Sequence, residues 1–209
     1  MLDRFILPFQ HRLLAPPARS LHRRGVGADA LTLVGFAVGL LSLPLLAFGL
    51  FGWALVAVLL NRLLDGLDGA VARIAGATDR GAFADIAFDF AFYAVVPLGF
   101  ALADPGRNAL PAAVLIAAFM GTGSSFLAFA VIAGRRGMTA ADYPAKGIYY
   151  LRGLTEGTET ITFFALVCLW PGAFAVLAYV FTAMCVVTTV LRWRQGWTEF
   201  SENMGKKLT

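Results

Sequence analysis

Long apolar runs alternate with short polar breaks along nearly the whole chain. The runs stand at approximately Leu31–Phe48, Phe51–Arg73, Gly81–Ala103, Asn108–Gly134, Thr155–Trp170 and Gly172–Leu191. A helix crosses the hydrocarbon core of a bilayer with about 20 mostly apolar residues. The pattern therefore predicts an all-α membrane protein with six transmembrane helices. The first 24 residues read differently: Phe5, Ile6, Leu13, Leu14 and Leu21 alternate with arginines and histidines. An amphipathic helix lying on the membrane surface is expected there, broken at Pro16-Pro17. No internal repeat is visible. One membrane domain over 1–209 is expected, made of the interfacial segment 1–24, a six-helix bundle 31–191 and a cytoplasmic tail 192–209.

Charge orients these spans. Five arginines precede the first, and the break between the second and third ends at Arg80. Arg135, Arg136, Lys146 and Arg152 lie between the fourth and fifth, and Arg192, Arg194, Lys206 and Lys207 follow the sixth. The alternate breaks, Gly49–Leu50, Asp104–Arg107 and Trp170–Pro171, carry almost no positive charge beyond Arg107. Basic loops stay cytoplasmic, so both termini are expected on that side. The net charge of +4 is thus a topology signal plus attraction to anionic lipid, not the mark of a nucleic-acid partner. Trp193 and Trp197 suit the inner interface, Trp53 and Trp170 the outer one. The N-terminus lacks the pattern of a cleavable signal peptide. Cys168 and Cys185 stand in apolar runs without metal-ligand spacing.

Against this background four acids stand out, in Asp65-Gly-Leu-Asp68-Gly69-Ala-Val-Ala72-Arg73 and Gly81-Ala-Phe-Ala-Asp85-Ile-Ala-Phe-Asp89. Carboxylates are costly within a bilayer and mark functional sites there. Asp65 and Asp68 are three apart and Asp85 and Asp89 four apart, so each pair shares a helix face. At a rise of about 1.5 Å per residue, Asp68 lies level with Asp85 and Asp65 with Asp89 on adjacent antiparallel helices. Four converging carboxylates need compensating positive charge. Oxygen-only ligands favour Mg²⁺, Mn²⁺ or Ca²⁺ over zinc, and two ions would suit a displacement at phosphorus. The small residues around the acids, Gly66, Gly69, Ala70, Ala72, Gly76, Gly81, Ala82 and Ala84, serve either close helix packing or room for a flat ligand. Arg73 is either a phosphate ligand or an ordinary positive-inside arginine.

The pattern Asp65-x2-Asp68-Gly69-x2-Ala72-Arg73-x7-Gly81-x3-Asp85-x3-Asp89 resembles the signature of the CDP-alcohol phosphotransferase family, with eight positions at fixed spacing. The six-span layout, the interfacial segment and Gly27-Ala-Asp-Ala-Leu-Thr32-Leu-Val-Gly35 extend the resemblance over most of the chain. It implies a bacterial cytoplasmic-membrane enzyme of phospholipid biosynthesis. Such an enzyme transfers a substituted phosphate from a CDP-linked donor, usually CDP-diacylglycerol in bacteria, to an alcohol and releases CMP. Carried over, Asp65, Asp68, Asp85 and Asp89 hold one or two Mg²⁺ or Mn²⁺ ions, and Asp89 is also the base. Gly69, Ala72, Arg73, Thr78 and Gly81 form the nucleotide site. The resemblance further implies a homodimer.

The acceptor side is less defined. Glu156 lies at the depth of Asp65 and either faces the same cavity or serves structure. Glu159 lies level with Arg62; an Arg62–Glu159 pair would satisfy two buried charges, and Asp65 is the alternative partner for Arg62. Lys146 and Arg152 are candidates for an acceptor anion site or are topology charges. Family members that take a phosphorylated alcohol often carry arginines where this chain reads Thr155-Glu156-Gly-Thr-Glu159-Thr160. Their absence counts against a phosphorylated acceptor such as glycerol phosphate or inositol phosphate and leaves a neutral or cationic alcohol, or a lipid hydroxyl, open. Membrane prenyltransferases are excluded, since they need more spans and two separated acidic motifs. The competing reading is an ion- or proton-coupled transporter, because intramembrane acids mark transport paths too. Against it, the acids cluster toward the cytoplasmic side and no duplicated half is visible.

Overall fold

A computed structural model describes residues 3–138 and 153–201, with side chains from Phe9 onward. Among these residues the chain is helical throughout, without strands. The elements are α1 (Asp3–Arg23), α2 (Ala28–Leu40), α3 (Ser42–Ala47), α4 (Phe51–Ala75), α5 (Asp79–Ala103), α6 (Pro105–Arg135), α7 (Gly157–Leu169), a 3₁₀ turn (Pro171–Ala173) and α8 (Phe174–Ser201).

Four segments are long and apolar enough to cross a membrane: Ala28–Ala47, Asp79–Ala103, Pro105–Arg135 and Pro171–Ser201. Two of the six expected spans do not meet that measure. α4 is 25 residues long, about 37 Å, but it carries Arg62, Asp65, Asp68 and Arg73 along its length. α7 has only 13 residues, about 20 Å. Its first expected residues, Thr155 and Glu156, are held outside the helix. The backbone N–H groups of Leu154 and Thr155 donate to Thr188 Oγ1 at 3.0 and 3.1 Å.

The first span is interrupted at Leu41, between α2 and α3. Pro44 has no N–H to offer the preceding turn. Ser42 Oγ takes up a freed carbonyl nearby, donating to Gly39 O at 2.6 Å. At the other end of the chain, α8 runs past Leu191 to Ser201, so residues 192–201 continue the last helix rather than form a separate tail. Phe200 there packs on Phe129 with ring centroids 4.9 Å apart.

The interfacial helix corrects one expectation. α1 is continuous through Pro16-Pro17. Each proline frees a carbonyl four residues earlier, on Arg12 and Leu13, and all four residues lie on the exposed side of α1. The opposite side is pinned, with Leu14 and Ala18 buried against Leu31, Ala70 and Val71. The helix is thus held on both sides of the prolines.

Lipid offers helices no hydrophobic reason to associate, so close van der Waals packing must hold them. An aromatic core supplies much of it, with Phe92, Phe100, Phe164 and Phe174 essentially inaccessible. Phe100 and Phe174 stack with centroids 4.3 Å apart, and Phe92 meets Phe164 edge-on at 5.9 Å. Glycines allow the tightest approaches. A Cβ on Gly39 would sit 2.9 Å from both Asn61 Nδ2 and the Phe92 ring, and one on Gly99 2.7 Å from Leu46 Cβ. Such contacts bring α2 onto α4 and α3 onto α5. The result is a three-walled recess between α2, α4 and α5.

Candidate metal centre

All four aspartates line this recess, with Thr32, Gly35 and Phe36 from α2, Asn61 and Arg62 from α4, and Phe88 from α5. The convergence predicted from helical spacing is therefore present. Burial is graded: Asp68 is buried, Asp65 and Asp89 half-buried and Asp85 exposed. One carboxylate oxygen from each of Asp65, Asp68 and Asp85 lies within 4.8 Å of the others. This all-oxygen, three-carboxylate corner fits a hard divalent cation.

Asp89 is engaged differently. Its Oδ1 accepts from Arg62 Nη2 at 2.6 Å. Arg62 Nη1 also lies 3.5 Å from Asp65 Oδ2. The expected Arg62–Glu159 pair does not form; the alternative partner, Asp65, is one of the two carboxylates that Arg62 meets. The reason lies in helix rotation. Asn61 Nδ2 donates to the Gly35 carbonyl at 2.9 Å, and this bond turns the next residue, Arg62, toward α5. Glu159 is used locally, accepting from the Glu156 N–H at 3.2 Å in a capping box on the first turn of α7.

Two contacts on the recess escaped the sequence reading. Thr32 Oγ1 donates to Asp68 Oδ2 at 2.6 Å, with the Ala28 carbonyl 3.1 Å away as a competing acceptor. The segment containing Thr32 carried a signal, but nothing in its pattern named the partner. Asn61 carried none, since a lone asparagine in an apolar run reads equally well as a packing residue. Asp29, at the start of α2, pairs with Arg80 at the start of α5 and ties the two walls together at the mouth.

The nucleotide candidates stand beyond the carboxylates, toward the same mouth. Arg73 folds back along α4, with its Nη1 3.4 Å from where a Cβ on Gly69 would be. Its charge also reaches His11 on α1, whose imidazole is held below its ordinary pKa, first by burial and then by Arg73. Ala72 lies on α4 beside them, half-buried. Thr78 caps α5, its Oγ1 accepting from the Gly81 N–H at 3.1 Å. A Cβ at Gly81 would press on Asp29 Oδ1 at 3.1 Å. None of Gly69, Ala72, Arg73, Thr78 or Gly81 lines the acidic recess itself, and neither do Glu156 and Glu159. Lys146 and Arg152 lie outside the described residues.

The recess brings the four signature aspartates together on two adjacent helices. The chain belongs to the CDP-alcohol phosphatidyltransferase family, which it matches over residues 26–191. It is an enzyme of the CDP-alcohol phosphotransferase type. It is 54% identical over 192 residues to inner membrane protein YnjF of Escherichia coli (strain K12), covering 92% of this chain and 93% of that protein. Phosphatidylinositol phosphate synthase of Streptomyces avermitilis is 38% identical over 121 residues, 56% of this chain and 49% of that one. Among solved structures, Mycobacterium tuberculosis phosphatidylinositol phosphate synthase (PgsA1) with CDP-DAG bound superposes with a TM-score of 0.65 at 26% identity, over 90% of this chain and 94% of that one. The same enzyme in complex with manganese and citrate gives 0.64 at 26% identity, over 88% and 89%.

Proposed function

We propose that the chain transfers a phosphatidyl group from CDP-diacylglycerol to an alcohol and releases CMP at the cytoplasmic face of a bacterial inner membrane. The observation that carries this is the corner of Asp65, Asp68 and Asp85, within 4.8 Å of one another and beside the Arg62-bound Asp89. The donor assignment is supported by the CDP-DAG complex of the structural relative, and the compartment by the inner-membrane relative. In this reading α4 and α7 complete six crossings, both termini are cytoplasmic, and the protein works as a homodimer forming a single membrane unit.

Asp65, Asp68 and Asp85 would hold the Mg²⁺ or Mn²⁺ ion. When bound, a divalent ion supplies charge neutralisation for the phosphoryl oxygens and the departing CMP. Arg73, poised over Gly69, faces the phosphates at the mouth, where a guanidinium forms strong charge-assisted bonds. Gly69 and Ala72 leave the surface there flat enough for a nucleotide, and Thr78 and Gly81 form the adjoining helix start. Asp89 Oδ1 is taken by Arg62, which leaves Oδ2 to accept the acceptor's proton. The alcohol oxygen then bonds to the phosphorus bearing the lipid, the bond from that phosphorus to CMP breaks, and the proton stays on Asp89.

The acceptor is a neutral or cationic alcohol, or a lipid hydroxyl. Support comes from Thr155–Thr160, where Glu156 and Glu159 cap α7 and no cation stands among those six residues. A CMP-release assay in defined lipid, with CDP-diacylglycerol against a panel of plain and phosphorylated alcohols and products read by mass spectrometry, tests the whole reading. CMP release with plain alcohols is expected. Release only with phosphorylated alcohols overturns the acceptor class. Release only from water-soluble CDP-alcohols with a lipid acceptor overturns the donor. No release with any CDP compound, together with metal-dependent ion flux, favours the transporter.

A further inference from the structure

A second cavity lies at the far end of the molecule from the aspartates. α5 runs from the mouth of the acidic recess to its rim at Ala103, about 27 Å along the helix from Asp85. The cavity measures about 480 Å³, a size typical of small-molecule sites. All three connections at this end reach it, through Gly49, Asp104 and Gly172. Its floor is aromatic: Phe100, only 1% exposed, stacks on Phe51 with ring centroids 5.6 Å apart. Trp53 and Trp170 are exposed at the same end, as tryptophans are at the level of lipid headgroups.

The polar lining points to a ligand. Asp104 and Arg107 both line the cavity at a spacing of three, which lets opposite charges pair on a helix. Their side chains do not pair. Asp104 Oδ1 accepts from the Arg107 backbone N–H at 3.1 Å. The guanidinium is turned instead to Gly172, whose carbonyl accepts from Nη2 at 2.7 Å. That bond leaves the other guanidinium N–H groups for a ligand. Asn108 is 7% exposed. Its Nδ2 donates to the Phe100 carbonyl at 3.1 Å, while its Oδ1 accepts no bond among the described residues. The cavity thus presents a cationic donor group and, held apart from it, a carboxylate and an amide oxygen, all over an apolar floor.

We propose that this cavity binds the headgroup of a phosphatidylethanolamine molecule from the leaflet opposite the acidic recess. The phosphate meets Arg107, where a guanidinium makes strong charge-assisted bonds. The primary ammonium donates to Asp104 and to Asn108 Oδ1, and the glycerol end lies over Phe51 and Phe100. A quaternary ammonium has no N–H to give those oxygens. A purely anionic headgroup leaves Asp104 facing negative charge. The bound lipid joins the three connections, and it does so whichever reaction the recess performs.

Native mass spectrometry counts the lipids retained by the full chain in detergent. The chain is titrated with phosphatidylethanolamine, phosphatidylcholine or phosphatidylglycerol of identical acyl chains. It is expected to retain one phosphatidylethanolamine about tenfold more tightly than either of the others. Asp104→Asn keeps an oxygen to cap α6 but loses the charge, and should abolish that preference. Arg107→Gln should weaken phosphatidylethanolamine retention about tenfold. Equal retention of phosphatidylethanolamine and phosphatidylcholine by the native chain overturns the proposal. A preference for phosphatidylglycerol makes the cavity a plain anion site and overturns it too. A preference that survives in Asp104→Asn puts the lipid elsewhere. Displacement by an equal concentration of water-soluble phosphoethanolamine overturns the lipid as occupant. The three-lipid comparison on the native chain needs no variant to fold and no CMP release.

Discussion

Asp89 is the carboxylate that Arg62 holds most closely, at 2.6 Å. Its proposed work is proton transfer, so removing its basicity while keeping its shape is the decisive change. Asn at this position still offers Arg62 an acceptor oxygen but takes no proton. Asp89→Asn should lower CMP release by about 10²–10⁴-fold, while calorimetric titration with a CDP nucleotide stays near the native affinity. Full activity in that variant would remove Asp89 from the base role. Thr32 acts at second hand, through its 2.6 Å bond to Asp68 Oδ2. Groups that orient metal ligands typically matter by about 10–100-fold in metal affinity. Thr32→Val should therefore raise the Mn²⁺ concentration for half-maximal CMP release within that range, and an unmoved requirement would make the bond incidental. The aspartates were legible because three- and four-residue spacing fixes a helix face. The partner of Arg62 was not, because Asp65, Asp89 and Glu159 are all within a long side chain's reach. Only the Asn61–Gly35 bond, which joins two helices, decides among them.

At the level of elements, hydropathy located the helices but not the extension of α8 to Ser201, and two of the six expected spans fall short of the apolar measure. α4 carries too many charges along its length to meet the measure of an apolar span, and α7 is short, with the N–H groups of Leu154 and Thr155 bonded to Thr188 ahead of it. The unbroken α1 was hidden for a related reason. Proline breaks a helix in isolation, but here tertiary contacts at Leu14 and Ala18 hold both halves. These contacts place α1 directly on the active-site helix. A Cβ on Gly66, between Asp65 and Asp68, would press on Gln10 Nε2 and lie 2.7 Å from Leu14 Cδ1. Both are ends of flexible side chains, so a methyl can be accommodated and a larger group cannot. Gly66→Ala should stay within about threefold of native activity, whereas Gly66→Leu should overpack the seam by about 1–3 kcal/mol. Limited proteolysis should then cut within residues 1–24 faster in Gly66→Leu than in Gly66→Ala. Equal protection in both would mean that α1 does not depend on this seat.

For the whole molecule, everything turns on which side of the membrane the recess opens. The basic loops predict that the α4–α5 connection lies inside, and the acids lie on the α4 and α5 turns leading to it. The opposite end carries the α5–α6 junction, where Asp104 caps α6 by accepting from the Arg107 N–H at 3.1 Å. Arg107 is not a free topology signal there, since its Nη2 donates to the Gly172 carbonyl at 2.7 Å and so bridges two outer connections. This explains why one arginine sits against the charge rule without reversing it. Cysteine labelling decides the orientation cleanly, because the native Cys168 and Cys185 are buried and contribute little background. Ala77→Cys, in the exposed α4–α5 connection, should react with a membrane-impermeant maleimide only in inverted vesicles. Gly106→Cys, whose Cβ would have no neighbour nearer than Asp104 Oδ1 at 3.7 Å, should react only in right-side-out vesicles. The reverse pattern would turn the acidic recess to the outer face, away from any cytoplasmic CDP-linked donor. It would defeat the proposed reaction without touching the geometry of the site.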